Sequence, residues 1–319
     1  MRTERIDACI GEHTPDAGVL LGRWFADRTG VPWVADFRDP VLRPFSPTLR
    51  TLYLPRIRSV LSTAAHVVSV NDHLARLDHD ALGRPASSIP NGFDPEEFVS
   101  GAASPRSEHF TIAYCGNLNP STQTIEPFFD ALRIVSQKLS NNRSAGVRFV
   151  YRGNNAVFVR EMAKTAGITT MVDAEDHIPR EQALQIIQRA DALLLLSITG
   201  SVQRDKYFTR GLYPAKTFEY FGAKRPIICV PGDKGMLDDL IRDTRTGVVL
   251  PDAARIAEYV LESYLRWQAG LPVEYGPNEE LVDQFTRKRL TQSLATVLDS
   301  IVGVRRLPAR MPNGIVALS

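Results

Sequence analysis

The chain has 319 residues, of which 44% are hydrophobic and 23% charged. That is ordinary globular composition, and it is more length than one hydrophobic core usually serves, so two domains are expected. Lys plus Arg number 38 against 36 Asp plus Glu, a net charge of +2 that gives no electrostatic case for general nucleic-acid binding.

In chain order the pattern runs strand, helix, strand, helix. Residues 6–10 form a short apolar strand. Thr14-Pro15-Asp16 opens a helix with Pro at its first position, carrying Val19, Leu20, Trp24 and Phe25 and stopping near Gly30. Residues 31–35 are the next strand. A basic helix with an apolar stripe covers 47–64, with Pro55 as a kink point. Residues 66–70 are a third strand, Pro90-Asn91-Gly92 is a turn, and 101–107 reads as a linker.

A second series follows, with strands at 110–114, 147–151, 170–172, 192–197, 227–230 and 248–250. Helical spacing lies between them: Ile125, Phe128, Phe129, Leu132 and Leu139; then Val159, Met162, Ala163 and Ala166 with Gly167 as a stop; then Leu184, Ile187 and Ala190. Such alternation buries a parallel sheet between helices, and ligands then bind beyond the carboxyl ends of the strands. The second series is long enough for a complete doubly wound domain. The first has fewer strands and no Gly-rich turn ahead of Ile6. The tail 303–319 has no pattern.

Cys9, Cys115 and Cys229 each sit in an apolar run without CxxC spacing, which reads as reduced core cysteines of a cytoplasmic protein. No signal-peptide pattern follows Met1, and no apolar stretch is long enough to span a bilayer. The helix with Arg50, Arg56 and Arg58 beside Leu52, Leu54, Ile57 and Leu61 suits either peripheral contact with the inner face of a membrane or packing on the sheet.

Five segments could carry chemistry. Tyr114-Cys115-Gly116-Asn117 closes the first strand of the second series. Gly116 lets the backbone approach a ligand, and the N-terminus of a following helix would favour a diphosphate. Many doubly wound folds also carry a glycine there without a ligand. In Pro214-Ala215-Lys216-Thr217-Phe218-Glu219-Tyr220, Lys216 and Glu219 share one helix face. Taken alone, the two read first as a surface ion pair. As a site, Lys216 would meet an anion and Glu219 would accept bonds from the two hydroxyls of a ribose. Asp36-Phe37-Arg38-Asp39 ends a strand with three charges, either a loop network or groups that hold an acceptor. The loop 198–213 holds Arg204, Lys206 and Arg210 beside Gly200 and Gly211, and it reads equally as a solvated loop or a cover for phosphates. His13 ends the first strand, where a lone histidine is more often structural. The chain has no GxxxxGK[ST], HExxH, GxSxG or paired CxxC.

In order, residues 31–40 (VPWVADFRDP), 89–94 (IPNGFD), 112–118 (IAYCGNL), 189–194 (RADALL) and 214–220 (PAKTFEY) running into Arg225-Pro226-Ile227-Ile228 resemble the family-4 retaining glycosyltransferases of the GT-B fold, most of all the bacterial branch with an FEYLA-like motif. The resemblance implies an α/β chain of two Rossmann-like domains with the first one incomplete. Residues 1–100 would be a partial acceptor-side domain and 108–277 the nucleotide-sugar domain. Residues 278–302 would be a helix returning to the first domain. It further implies donor binding by Gly116, Asn117, Arg152, Tyr213, Lys216, Thr217 and Glu219, with Glu219 on the ribose and Lys216 near the diphosphate. Arg38 and Asp39 would be catalytic, and His13 would lie on the acceptor side.

Three departures stand out, one being that the first domain lacks the opening strands that in the family help form the acceptor side. Many members carry a second Glu eight positions before the ribose-binding one, where this chain has Gly211. Many also carry Arg or Lys shortly after the phosphate-turn glycine, where this chain runs Asn117-Leu118-Asn119-Pro120. The implied reaction is transfer of a sugar from a nucleotide diphosphate sugar to a glycan or lipid-linked acceptor in surface polysaccharide synthesis, with the anomeric configuration retained. No cofactor or metal is expected, because positive side chains and helix N-termini can neutralise the leaving diphosphate. The alternatives are a GT-B-like binding protein without turnover, or a sugar-nucleotide epimerase, for which no acid–base pair stands out.

Overall fold

The computed structural model describes residues 6–41, 47–98, 107–139, 146–199 and 211–306. Gly200 and most of the basic loop, with Arg204, Lys206 and Arg210, lie outside these residues, as do most of the expected linker and the tail beyond Arg306. The chain divides into two compact units: Met1–Ile89 with Thr291–Ser319, and Pro90–Leu290.

The first unit alternates β1 (Cys9–His13), α1 (Asp16–Thr29), β2 (Trp33–Phe37), α2 (Pro47–Leu61), β3 (His66–Ser69), α3 (Asp72–Leu82) and β4 (Ala86–Ser88). The four strands lie parallel in the order β1-β2-β3-β4. Every residue of β2 is buried, including Asp36, as a central parallel strand requires. Helix ends follow local chemistry. Gly30 takes φ 67° and returns its N–H to the Ala26 carbonyl at 2.7 Å, while the Asn71 side chain caps α3 by accepting from the Leu74 N–H. Two sequence expectations shift here. The first strand lies three residues later than apolarity suggested, because its register is set by pairing with β2, His13 opposite Phe37. Pro15 is the N-cap of α1, not its first helical residue. In α2, Ile57 and Leu61 are buried while Leu49 and Leu52 are exposed. The helix α3 and the strand β4 had no counterpart in the sequence reading.

One buried acid in this unit has a measurable consequence. Asp78 on α3 accepts a 2.6 Å bond from the Ser69 hydroxyl, its other oxygen has no partner among the described residues, and burial raises its pKa to about 7. The folded state therefore keeps a proton that the unfolded state loses near pH 4, so this group's contribution to stability falls as pH rises from about 4 through 7. Asp78→Asn is expected to remove that fall and to raise Tm above the parent at pH 8, measured by thermal denaturation at pH 5 and 8. An equal change at both pH values contradicts it.

The second unit contains β5 (Phe110–Cys115), α4 (Glu126–Leu139), β6 (Val147–Arg152), α5 (Ala156–Thr165), β7 (Val172–Glu175), α6 (Arg180–Arg189), β8 (Ala192–Leu196), α7 (Lys216–Ala223), β9 (Ile227–Val230), α8 (Met236–Thr244), β10 (Gly247–Val249), α9 (Ala253–Gln268) and α10 (Glu279–Asp283). A final helix, α11 (Arg287–Arg306), begins in this unit and ends in the first. The third strand starts later than expected, since Thr169–Met171 form a 3-10 turn ahead of it. The period-2 rule explains the two cores. Phe110, Ile112 and Tyr114 of β5, with Leu194 and Leu196 of β8, pack against α4 and α9. Ala113 and Cys115, with Leu193 and Leu195, pack against α7 and α8.

All six strands are parallel, in the order β10-β9-β8-β5-β6-β7. The chain therefore reverses direction across the sheet between β5 and β8. In an open parallel sheet the ligand crevice opens at that switch point, outside the carboxyl ends of the two strands. The residues after β5 are Gly116 and Asn117. The loop after β8 leads to Lys216.

Candidate functional site: the switch point of the second unit

Beyond Tyr114 and Cys115 the backbone turns at Gly116 with φ 125°, a conformation that glycine adopts without strain. The Gly116 N–H binds the Arg152 carbonyl at 2.8 Å, and a Cβ on Gly153 would run into the Gly116 carbonyl, so β5 and β6 end in close backbone contact. The Tyr114 hydroxyl donates to the Asn117 carbonyl at 2.6 Å, while its ring stacks on Tyr151. Asn154 and Asn155 hold Leu118 from the next loop. Thr199 N–H binds the Thr122 carbonyl and Gln123 binds the Leu196 carbonyl, tying this loop to the end of β8. The helix expected to follow begins at Glu126, and a loop pinned by Asn119 turns separates it from Gly116.

The helix that does start at the switch point is α7. Six of its residues are buried: Thr217, Phe218, Tyr220, Phe221, Gly222 and Ala223. Phe218 and Phe221 fill the core and the Tyr220 hydroxyl reaches the Leu194 carbonyl, so the two charged side chains of the helix, Lys216 and Glu219, remain outside the core. Lys216, the first residue, extends over the Tyr114 ring with Nζ 3.4 Å from its centroid, and donates to the Asn117 carbonyl at 3.4 Å. A Cβ on Gly116 would stand 3.3 Å from that nitrogen. Burial pushes the Lys216 pKa down to about 7, against the opposing pull of Cys115 and Glu219. The buried Thr217 hydroxyl has no partner among the described residues. The Tyr213 ring stands edge-on to Phe218. A cation, a glycine turn and a helix N-terminus thus converge, which is the chemistry of an anion site.

Glu219 does not pair with Lys216, as the simplest reading of the sequence had it. Its Oε1 accepts from Arg180 Nη1 at 2.5 Å, and Arg180 in turn binds Glu97 at 2.8 Å. Sequence reasoning passed over Glu97, Arg180 and also His177, whose Nε2 lies 2.9 Å from Asn117 Oδ1. They come from separate stretches with no motif among them. Arg152, expected to lend charge to the donor, has that charge matched by Asp173 and Glu175 on β7, at 3.0 and 3.3 Å.

Gly211 takes φ 87°, and a Cβ there would run into the Asp233 carboxylate. Asp233 accepts from the Gly235, Leu237 and Asp238 amides at the start of α8, and Asp238 answers by accepting from Asp233 and Lys234. Among the described residues, no group of three or more His, Cys, Asp or Glu could hold a metal ion. No helix among them is long and apolar enough to cross a membrane.

In the first unit, His13 is buried against Phe37, with Nε2 2.7 Å from Asp16 and Nδ1 3.3 Å from the Thr14 hydroxyl. The Thr14 hydroxyl also donates to Asp39 at 3.0 Å. Arg38 binds Asp36 and the Ile89 carbonyl, which matches the loop network foreseen as one of two readings.

The Gly116 geometry makes a test possible within the site. Gly116→Ala places a Cβ at a φ unfavourable to L-residues and against the Lys216 ammonium. It is expected to cost about 1–3 kcal/mol of stability and to weaken any anion bound there, read by urea denaturation and calorimetric titration with UDP. A variant as stable as the parent contradicts it.

Sequence comparison finds no matching family model and no matching curated protein. Structure comparison does find similar folds. Anabaena HepE, solved with UDP-glucose, aligns with TM-score 0.65 and 15% identity over 91% of this chain and 78% of HepE. Sucrose-phosphate synthase from Thermosynechococcus elongatus aligns with TM-score 0.62 and 13% identity over 93% and 74%. A glycosyltransferase from Rickettsia africae aligns with TM-score 0.58 and 10% identity over 90% and 82%. These neighbours are GT-B proteins with two Rossmann-like domains, and the chain has that fold.

Proposed function

We propose that the chain is a glycosyltransferase whose second unit binds a nucleotide diphosphate sugar at the β5–β8 switch point. The observation that carries this reading is the placement of Lys216 over Gly116 at the N-terminus of α7, with Glu219 one turn further on. The ammonium and the helix N-terminus meet the diphosphate, and the Glu219 carboxylate accepts from the ribose hydroxyls. Thr217, Tyr213 and Asn117 border the same space. HepE was solved with UDP and UDP-glucose, which makes a UDP-sugar the first donor to try.

Charge builds on the leaving diphosphate as the glycosidic bond breaks, and a fixed cation and helix N-terminus oppose that build-up without a metal. In the first unit, the Arg38–Asp39 turn is the proposed catalytic segment. Asp39 is exposed and accepts from the Thr14 hydroxyl, a carboxylate able to orient a hydroxyl. The proposed transfer retains the anomeric configuration and takes a glycan or lipid-linked hydroxyl as acceptor, in surface polysaccharide synthesis beside the membrane.

The test is UDP release from UDP-sugars with and without a lipid-linked glycan fraction, with the product anomer assigned by NMR. Acceptor-dependent UDP release with retained configuration is the expected result. Inverted product overturns the stereochemistry. A second reading, a GT-B protein that binds donor without turnover, is favoured by the enclosed His13 and the paired Arg38 guanidinium. UDP binding with no release from any UDP-sugar supports it.

A further inference from the structure

Lys216 and Glu219 are three residues apart on one helix, the spacing at which opposite charges ordinarily close on each other. They do not. Lys216 leans over Tyr114 toward the Asn117 carbonyl, and Glu219 turns the other way to Arg180. Arg180 is the first residue of α6, and its guanidinium is gripped on the far side by both oxygens of Glu97, at 3.4 and 2.8 Å. Glu97 is fixed in turn by the 3-10 turn Pro95–Phe98, whose Phe98 ring lies so close to Gly222 of α7 that a Cβ there would strike it. Three separate elements thus meet at one guanidinium, which lies between two carboxylates.

From this geometry we propose that Arg180 is the positioning residue of the donor site, holding Glu219 away from Lys216 so that the carboxylate serves a sugar hydroxyl pair and the ammonium serves a phosphate. The inference rests on the donor reading above. Arg180 occupies one lone pair of Glu219 Oε1 and leaves Oε2 to a ligand. The side chains of Arg180 and Glu219 are 49% and 32% exposed, so folding draws little from the pair.

Without Arg180, Glu219 is left to close on Lys216. The charged and titratable groups facing that ammonium are Cys115 and Tyr114 from β5, and Glu219 from its own helix. A closer carboxylate favours the protonated amine. In Arg180→Gln the affinity for UDP-glucose is expected to fall by roughly tenfold, and the pH at which binding weakens to move up by about one unit. Arg180→Lys, which keeps one charge without the fork, restores part of both. Glu97→Gln gives a smaller change in the same direction.

Calorimetric titration of the full chain with UDP-glucose from pH 6 to 9 reads all of these, with Glu219→Ala alongside. A lost Glu219→Ala site beside an Arg180→Gln profile that overlays the parent overturns the role of Arg180 alone. Parent-like binding by both variants overturns the donor reading with it. A uniform loss of affinity in Arg180→Gln with no movement along the pH axis also overturns the proposal, because general loosening of the site does that.

Discussion

Glu219→Ala is expected to weaken UDP binding by about a hundredfold or more. The carboxylate offers two acceptor positions to two adjacent ribose hydroxyls, and hydrogen bonds to a charged group contribute about 1.5–3 kcal/mol each. Two such bonds at the low end already exceed the 2.8 kcal/mol or so that corresponds to a hundredfold change in Kd. The variant should fold normally. Glu219 is partly exposed on a helix whose core contacts come from its neighbours, and Arg180 keeps Glu97 as a partner. Gln at the same position keeps the shape, loses the charge, and should fall between parent and Ala. Isothermal titration with UDP decides the matter, and parent-like affinity in Glu219→Ala removes the ribose assignment.

The second large effect concerns Lys216 and pH. Its pKa is lowered to about 7 by burial, so in the free protein the ammonium is present below pH 7 and lost above it. A diphosphate prefers the ammonium. Affinity for UDP-glucose, whose diphosphate carries no proton in this range, should be flat below about pH 6 and fall across pH 7–9, by at most about tenfold per pH unit. In Lys216→Ala the affinity should drop by roughly 30- to 100-fold at pH 6, as for a lost hydrogen-bonded charge, and its pH dependence should vanish.

The same shift acts on folding with a definite sign. Between pH 7 and 10.5 the unfolded chain carries a proton on this amine that the folded one has released, so this group's contribution to stability rises with pH across that window. Lys216→Met should therefore gain most over the parent below pH 7, where a buried ammonium costs most. Titration and urea denaturation at pH 6 and 9 measure both effects. An affinity independent of pH in the parent, or a stability gain that is the same at both pH values, contradicts the assignment.

Much of this was legible in the residues themselves. Continuous apolar runs such as Leu193–Leu196 and Ile227–Val230 can be satisfied only in the middle of a parallel sheet, and they lie there, fully buried. Gly30 as a helix stop needed nothing beyond its own backbone freedom. The segment Pro214–Tyr220 announced a helix with a cation at its start and an acid one turn on, and the helix begins at Lys216. These features are local, fixed by side-chain period, by backbone sterics and by spacing along a few residues.

What the sequence alone determined, then, was the alternating α/β character, the place of the switch-point glycine and the identities of Lys216 and Glu219. The tertiary structure decided with whom each side chain pairs. Glu219 has Lys216 three residues away and takes Arg180 from 39 positions away. Arg152 has its charge matched across the sheet by Asp173 and Glu175. The acid beside Gly211 comes from a different loop, at Asp233. Charges interact through space and not along the chain, so spacing in the sequence ranks possible partners while the strand order chooses among them. The order β8-β5-β6-β7 is what brings residues 97, 180 and 219 to one end of one sheet, and no pattern within any of those segments contains it.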